Sequence, residues 1–191
     1  MKVIGLIGEK GSGKQTFVNF LKEIASASPR NDVVVRQVRF SDILAETLMV
    51  WDIPVTRSNL QHLAIMMNAT FGETALANAA KFSVEGDSAD VVVFDGIRRE
   101  PELELVKKMP KSSLIYITTE QKLRYKRLKK RSEKVGEAGL TFEQFLKEEG
   151  SKAEVNISTL GKKANIKLEN NGSLEEFRSS ILKVWQALAK D

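Results

Sequence analysis

A glycine-rich turn near the start of the chain contains residue types at a spacing that could do chemistry. Its sequence is Gly8-Glu9-Lys10-Gly11-Ser12-Gly13-Lys14-Gln15-Thr16. The glycines let the backbone curl with its N–H groups pointing inward, where a polyphosphate can accept their hydrogen bonds. Lys14 adds a mobile positive charge for the outer phosphates, at the start of a helix whose positive dipole end points the same way. The turn therefore predicts a site for a chain of phosphate groups.

The segments on both sides of the turn support this interpretation. The apolar run 3–7 precedes it, and apolar residues recur at helical spacing from residue 17 to residue 24. A strand, a glycine-rich turn and a helix in this order form the structural context of a phosphate-binding loop. Gln15 stands where most such loops place a hydroxyl that binds Mg²⁺, and the hydroxyl comes one step later, at Thr16. The alternative is that the turn only joins a strand to a helix.

Composition narrows the classes of protein. The chain has 191 residues, 42% of them hydrophobic, which fits one globular domain. It has no cysteine and one histidine, so we expect no disulfide framework and neither a histidine metal cluster nor a Ser-His-Asp triad. The first apolar run is too short for a signal peptide or a membrane span, and we expect a cytoplasmic protein without a membrane partner.

Apolar segments alternate with helical patterns along the whole chain. Strands are predicted at 3–7, 33–40, 91–94, 114–117 and 164–168, and helices lie between them and after the last one. Ser41 and Asp42 are predicted to cap the helix after the second strand, and 141–144 have the spacing of a capping box. The alternation predicts an α/β fold, a three-layer α/β/α sandwich with a five-stranded parallel sheet.

Charged residues follow the predicted strands at the edge where ligands bind in such folds. Asp95 comes directly after a buried strand, where a carboxylate holds Mg²⁺, although it could instead cap the next turn. Asp42 could accept a hydrogen bond from the attacking group or cap its helix. Arg57 and Arg98 fall on the expected acceptor side. Cations at both ends of the site are what phosphoryl transfer to a phosphorylated acceptor requires.

The net charge of +5 is unevenly distributed. Residues 121–134 carry eight lysines or arginines against one acid. Arg124, Arg127 and Arg131 fall on one face of the predicted helix, where their guanidinium groups suit phosphate contacts. A solvated basic face is the ordinary alternative for such a run, and a nucleic-acid contact is another.

The whole chain resembles the P-loop nucleoside monophosphate kinase group, in particular the dephospho-CoA-kinase-like and archaeal-type predicted nucleotide kinases. The stretches that carry the resemblance are GEKGSGKQT, FSDIL, TRSNLQHL, FGETALANA, VVVFDGIRR, RYKRLKKR and ANIKLENNGSLEEF. The Lys-Gln-Thr order is similar to the Lys-Gly-Thr order of adenylate kinases. The resemblance implies a P-loop NTPase fold with a helical lid, and ATP and Mg²⁺ as cofactors.

Residue roles follow from the same resemblance. It implies that Lys14, Asp42 and Arg131 are catalytic and that Thr16 and Asp95 bind the metal. The residues expected to bind ATP are Gly8, Lys10, Gly11, Ser12, Gly13, Lys14, Gln15, Thr16, Arg127, Asn171 and Gly172. The residues expected to bind the acceptor are Asp42, Arg57, Gln61, Arg98 and Arg99. Aligned without gaps, the arginine that holds the acceptor phosphate is Arg99, but related Asp-Gly-Ile-Arg kinases place it at Arg98, which we favour.

One P-loop kinase domain is therefore expected over 1–191. Its parts are a core (1–40, 88–131 and 159–191), an acceptor-binding helical region (41–87) and a lid (132–158). The expected activity is ATP- and Mg²⁺-dependent transfer of a phosphoryl group to a small phosphorylated acceptor, a nucleoside or deoxynucleoside monophosphate. One alternative is transfer to a hydroxyl, as in dephospho-CoA kinase. A nucleic-acid-associated ATPase ranks last, because Tyr125 is the only aromatic residue in the basic block.

Overall fold

The fold was analysed in a computed structural model that describes residues 1–27, 33–131, 139, 141–150 and 155–190, without the side chains of Arg131 and Lys190. The strands are β1 (Lys2–Ile7), β2 (Val35–Arg39), β3 (Val91–Asp95), β4 (Ser112–Thr118) and β5 (Ile166–Glu169). The helices are α1 (Lys14–Ser26), α2 (Phe40–Val50), α3 (Arg57–Phe71), α4 (Ala75–Phe82), α5 (Glu100–Lys108), α6 (Gln121–Arg131), α7 (Phe142–Glu149), α8 (Ile157–Gly161) and α9 (Leu174–Lys190).

The five strands form one parallel sheet in the order β2-β3-β1-β4-β5. In the register, Leu6 pairs with Asp95 on one side of β1 and with Ile115 on the other. Because all strands run the same way, the residues that follow β1, β2 and β3 meet at one edge of the sheet. The predicted three-layer α/β/α sandwich with a five-stranded parallel sheet is confirmed.

Helices cover both faces of the sheet, which explains why its central strands are almost continuously apolar. On one face, Val3 and Ile7 of β1 pack in a core with residues of α2, α4, α5 and α8. On the other face, Ile4 and Leu6 pack against α1 and α9. The alternation of side chains along a strand thus divides β1 between two hydrophobic cores.

Two predicted boundaries are wrong at the junction of β2 and α2. The second strand covers 35–39 rather than 33–40, and α2 already begins at Phe40. The N-cap residue is Arg39, so Asp42 lies inside the first turn and does not cap the helix from the predicted position. Phe40 packs on the ring of Phe94 in the core, and this burial fixes where the chain turns into the helix.

The helices between β2 and β3 are less deeply packed than the sheet. Of the fifteen residues of α3, Ala64 alone is buried. Thr56 caps this helix by accepting a hydrogen bond from the backbone N–H of Asn59 at 3.1 Å. Unlike α2 and α4, which contribute to the core described above, α3 is therefore held by its cap and a few contacts.

A third small core joins α6 to α7. Leu128 and Phe145 are buried, and Tyr125 and Phe142 pack against them. The predicted capping box is confirmed, because Thr141 and Gln144 exchange side-chain-to-backbone hydrogen bonds at the start of α7. Among the described residues, no helix combines the length and apolar content needed to cross a membrane.

Gly161 at the end of α8 lies directly against the ring of Tyr116. A Cβ atom added at Gly161 would lie 2.6 to 2.7 Å from three ring atoms. We expect Gly161→Ala to reduce the free energy of unfolding by about 1–3 kcal/mol, because a buried aromatic ring has little room to move. Chemical denaturation measures this difference.

Gly150 provides the matched control for that substitution. An added Cβ there would meet Lys147 O at 3.6 Å, which is an ordinary contact. Gly150→Ala should therefore change the unfolding midpoint much less than Gly161→Ala. Equal effects of the two substitutions would contradict the steric explanation.

Candidate functional site

The turn between β1 and α1 has the backbone that its glycines predict. Gly11 and Gly13 have φ angles of 80° and 104°, a region that residues with a side chain rarely adopt. A Cβ added at Gly11 would also lie 2.9 Å from the backbone oxygen of Arg124. Gly13 precedes the first residue of α1 as its N-cap. Both glycines are therefore required by conformation, and Gly11 also by the close approach of α6.

Lys14 lies folded back over the turn. Its Nζ donates hydrogen bonds to the carbonyl oxygens of Gly8 at 2.6 Å and Glu9 at 3.1 Å. Ser12 is fully buried, and its Oγ has no hydrogen-bond partner among the described residues. The turn thus combines a cation on its rim with a buried hydroxyl that is unsatisfied inside it.

Two residues that directly follow β4 and β5 hold the turn in place. The carbonyl oxygen of Ser12 accepts hydrogen bonds from Asn170 Nδ2 at 2.9 Å and from Thr119 Oγ1 at 3.1 Å. Arg127 donates to the carbonyl oxygen of Asn170 at 2.9 Å, and burial lowers its pKa. Asn171 accepts a hydrogen bond from the backbone N–H of Glu120 at 2.8 Å. The sequence predicted Arg127 and the segment from Asn170 to Gly172 as part of the site, but it missed Thr119 and did not predict that Asn170 supports the turn.

Asp95 is the last residue of β3 and is buried. Its Oδ2 accepts a hydrogen bond from Gln37 at 2.8 Å, whereas its Oδ1 has no partner within the described part of the chain. Nowhere in those residues do three histidine, aspartate or glutamate side chains come together as a metal site. A single carboxylate suits Mg²⁺, which usually takes one or two carboxylates and completes its shell with phosphates and water. The free Oδ1 of Asp95 fits that arrangement.

A polar network on β2 surrounds Asp95. Arg39 Nε lies 3.5 Å from Asp95 Oδ2, and the same guanidinium donates to the side-chain oxygen of Gln15. Gln37 donates to that oxygen of Gln15 at 3.1 Å. The side chain of Gln15, the residue that departs from the usual loop sequence, therefore points toward β2. Sequence reasoning missed Gln37 and Arg39, because the pairing of Arg39 with Asp95 depends on a strand order that the sequence does not give.

The predicted acceptor residues come from three elements. Asp42 is half-exposed, with its Oδ2 at 3.6 Å from Arg39 NH1. Arg57 begins α3, and Gln61 lies one turn later on the same helix, exposed to solvent. Arg98 and Arg99 follow Asp95, in the turn that leads into α5.

Buried Glu102 fixes the conformation of that last turn. One of its carboxylate oxygens accepts hydrogen bonds from the backbone N–H groups of Arg98 at 2.7 Å and Arg99 at 3.1 Å. Burial raises the pKa of Glu102, and the two backbone hydrogen bonds offset only part of that rise. The sequence analysis did not identify this carboxylate, although its capping position in the first turn of α5 could have indicated it.

The basic helix α6 turns two of its arginines toward the protein. Arg124 is buried, makes a two-point ion pair with Glu149, and donates to the carbonyl oxygen of Thr119 at 2.9 Å. Arg127 contacts Asn170, as described above. Arg131 ends the helix, and its side chain lies outside the described residues. Exposed lysines, including Lys122 and Lys126, form the outer face.

Glu148, in the last turn of α7, contacts the glycine-rich turn between β1 and α1. Its Oε2 lies 3.1 Å from Lys10 Nζ and 3.0 Å from Arg57 NH1. Partial burial acts to raise the pKa of Glu148, but the hydrogen bonds from Arg57 and Lys10 outweigh it and lower the pKa. The predicted lid, 132–158, contains α7, but its residues 132–138, 140 and 151–154 lie outside the described part of the chain.

Glu9 is the acidic residue of the glycine-rich turn, and the sequence analysis left it without a role. It accepts a hydrogen bond from the Tyr116 hydroxyl through Oε1, and its buried Oε2 has no partner within the described ranges. Burial, followed by the hydrogen bond to Glu9, raises the pKa of Tyr116 to about 12. The phenol therefore remains a hydrogen-bond donor at neutral pH.

Known proteins resemble this chain over nearly its whole length. A UPF0200 protein from Sulfurisphaera tokodaii is 29% identical over 180 residues, covering 94% of this chain and 93% of the relative. One from Methanoregula boonei is 28% identical and covers all of both chains. The structure of TT1252 from Thermus thermophilus has a TM-score of 0.62 at 20% identity and covers 98% of this chain and 97% of that one.

Shikimate kinase from Bacteroides thetaiotaomicron has a TM-score of 0.60 at 11% identity and covers 97% of this chain and 98% of that one. The likeness to these two solved structures confirms the predicted P-loop NTPase fold. At the level of sequence, the AAA domain family matches residues 4–172. Because that match spans most of the chain, the protein belongs to the AAA domain family.

Proposed function

We propose that the protein is an ATP- and Mg²⁺-dependent kinase that phosphorylates a small phosphorylated acceptor, a nucleoside or deoxynucleoside monophosphate. The observation that carries the proposal is that two buried oxygens, Ser12 Oγ and Asp95 Oδ1, lack a hydrogen-bond partner among the described residues, at a sheet edge with a glycine-rich turn and a lysine. Buried polar atoms in folded proteins are nearly always hydrogen-bonded, so unpaired ones at a sheet edge point to a ligand. The kinase-type fold supports the same reaction class.

In the proposed reaction, an oxygen of the acceptor attacks the terminal phosphorus of ATP. The bond from that phosphorus to the bridging oxygen breaks, and ADP leaves. Lys14 and Arg131 would neutralise the charge on the transferring group, while Arg98, Arg99 and Gln61 would hold the acceptor. Thr16 and Asp95 would hold Mg²⁺, which supplies charge neutralisation for the phosphates when bound.

Donor binding would use the turn and the loops that support it. In this proposal the backbone of 8–13 and of Gln15 takes the phosphates together with the side chains of Lys10 and Thr16. Arg127, Asn171 and Gly172 edge the base. The division of the chain into a core, an acceptor-binding region (41–87) and a lid (132–158) is part of the same proposal.

A panel of nucleoside and deoxynucleoside monophosphates with Mg·ATP tests the activity. We expect at least one acceptor to yield its diphosphate together with ADP. Lys14→Met should lower kcat by about 100-fold or more, because the lysine neutralises charge that develops in the transition state. Chromatography of the nucleotides measures both products.

Lys22→Met is the control, since Lys22 is an exposed lysine on the outer side of α1. It should keep the activity of the wild type. Slow ATP hydrolysis at the same rate with and without every acceptor would contradict the proposal.

A second candidate is transfer to a hydroxyl group of the acceptor, and the position of Asp42 favours it. Asp42 lies beside Arg39, which also contacts Asp95, so its carboxylate is close to the predicted metal site. A hydroxyl must lose its proton during attack, whereas a phosphate oxygen is already ionised. The two candidates therefore require different things of Asp42.

Asp42→Asn distinguishes the two candidates. If the acceptor group is a hydroxyl, kcat should fall by about 10²- to 10⁴-fold through loss of the base. If it is a phosphate, we expect kcat to change little, with the main effect on the KM of the acceptor. Glu46→Gln, on an exposed position of the same helix, controls for loss of charge. The measurement is steady-state kinetics with the best acceptor of the panel.

The raised pKa of Glu102 predicts how the free energy of unfolding changes with pH. An acid whose pKa is raised by folding stabilises the fold below its unfolded pKa, and this contribution is lost as the pH rises through the raised value. Glu102→Gln keeps an oxygen that can accept the backbone hydrogen bonds but cannot ionise. As the pH rises from about 4, the unfolding free energy of the wild type should therefore decrease relative to that of Glu102→Gln.

Denaturant unfolding at several pH values measures this trend. Glu104→Gln is the control, because Glu104 lies on the same helix with its side chain partly exposed. A wild-type advantage over Glu102→Gln that grows with pH would show that the sign is wrong.

A further inference from the structure

The last turn of α7 carries two adjacent glutamates with different surroundings. Glu149 is paired with Arg124, whose side chain is only 7% exposed, in a two-point contact. Glu148 is paired with Lys10 and with Arg57, whose side chain is 52% exposed. Buried two-point pairs are hard to break, whereas exposed pairs contribute little and are readily exchanged. Glu149 therefore anchors the helix, while Glu148 can be replaced by another anion.

The charges around Glu148 do not balance. Lys10 and Arg57 both approach the same oxygen, Oε2, and two positive charges share one negative charge. Glu149 does not correct the excess because Arg124 already neutralises it. A phosphate group carries up to two negative charges and several oxygens, so it would match the two cations better than a single carboxylate does.

The positions of the two cations point to the same ligand. Lys10 belongs to the glycine-rich turn, and Arg57 is the first residue of α3, on the proposed acceptor side. A small cavity lies between them, lined by Lys10, Arg57, Phe145, Glu148 and Glu149. The Glu148 carboxylate thus lies between the glycine-rich turn, which carries Lys10, and the start of α3, which carries Arg57.

We propose that Lys10 and Arg57 form a phosphate subsite and that the Glu148 carboxylate occupies it until a substrate phosphate takes its place. The inference rests on the proposed function, because it concerns how that site receives its substrates. Exchange of the carboxylate for a phosphate would release α7 from Lys10 and Arg57 while Arg124 keeps it attached to α6. The phosphate could be the terminal group of ATP or the phosphate of the acceptor.

Calorimetric titration of the full chain tests the subsite with defined probes. The probes are a nonhydrolysable ATP analogue, ADP, and inorganic phosphate added to protein saturated with the analogue. Glu148→Gln should tighten binding of one probe by about three- to tenfold, since the ligand no longer displaces a paired carboxylate. A gain for the analogue but not for ADP assigns the subsite to the terminal phosphate of the donor. A gain for inorganic phosphate assigns it to the acceptor.

Two further variants make the result specific. Glu143→Gln removes the same charge at an exposed position of α7 and should leave every affinity unchanged. Arg57→Gln should weaken binding of the probe that Glu148→Gln binds more tightly. In the double variant with both substitutions, the gain in affinity from Glu148→Gln should be smaller. Unfolding curves of all variants confirm that each is folded.

The outcomes separate this inference from the proposed function. The subsite is refuted if Glu148→Gln binds every probe no more tightly than Glu143→Gln does. Nucleotide binding still stands in that case if the wild type binds the analogue and Lys14→Met does not. If the wild type binds neither the analogue nor ADP, the proposed function fails, and the subsite fails with it.

Discussion

The carbonyl oxygen of Ser12 is the point on which the candidate site depends. It accepts buried hydrogen bonds from Thr119, after β4, and from Asn170, after β5. These bonds attach the glycine turn to two strands that lie far from it in sequence. A curled turn exposes several N–H groups in one direction and is not stable alone, so it needs such supports. The geometry of the turn is therefore a property of the whole sheet edge.

The burial of the strands explains why the fold could be predicted from the sequence. Continuous apolar runs such as 91–94 indicate strands covered on both faces, and helical spacing between them indicates crossovers. These signals come from burial, which the residue types determine directly. The start of α2 was mispredicted because the stacking of Phe40 on Phe94, a contact distant in sequence, decided where the helix begins.

The candidate site could be predicted only in part. Lys14 and Asp95 were predicted because strand, turn and helix patterns identify their positions. Gln37 and Arg39 were missed because their role depends on which strand lies next to β3, and one sequence does not give the strand order. Arg124 was counted among phosphate-facing cations, but the structure buries it against Glu149, a partner on another helix. Side-chain partners of this kind are set by tertiary packing.

The shallow packing of α3 bears on how proteins of this type could diverge. Ala64 is the single residue that this helix buries, and the strands on either side of the 41–87 region are held by the sheet itself. A segment so lightly attached can accumulate substitutions, insertions or deletions while the sheet and the glycine turn stay as they are. Under the proposed division of the chain, selection could therefore change the acceptor by altering α3, while the sheet and the glycine turn are inherited unaltered.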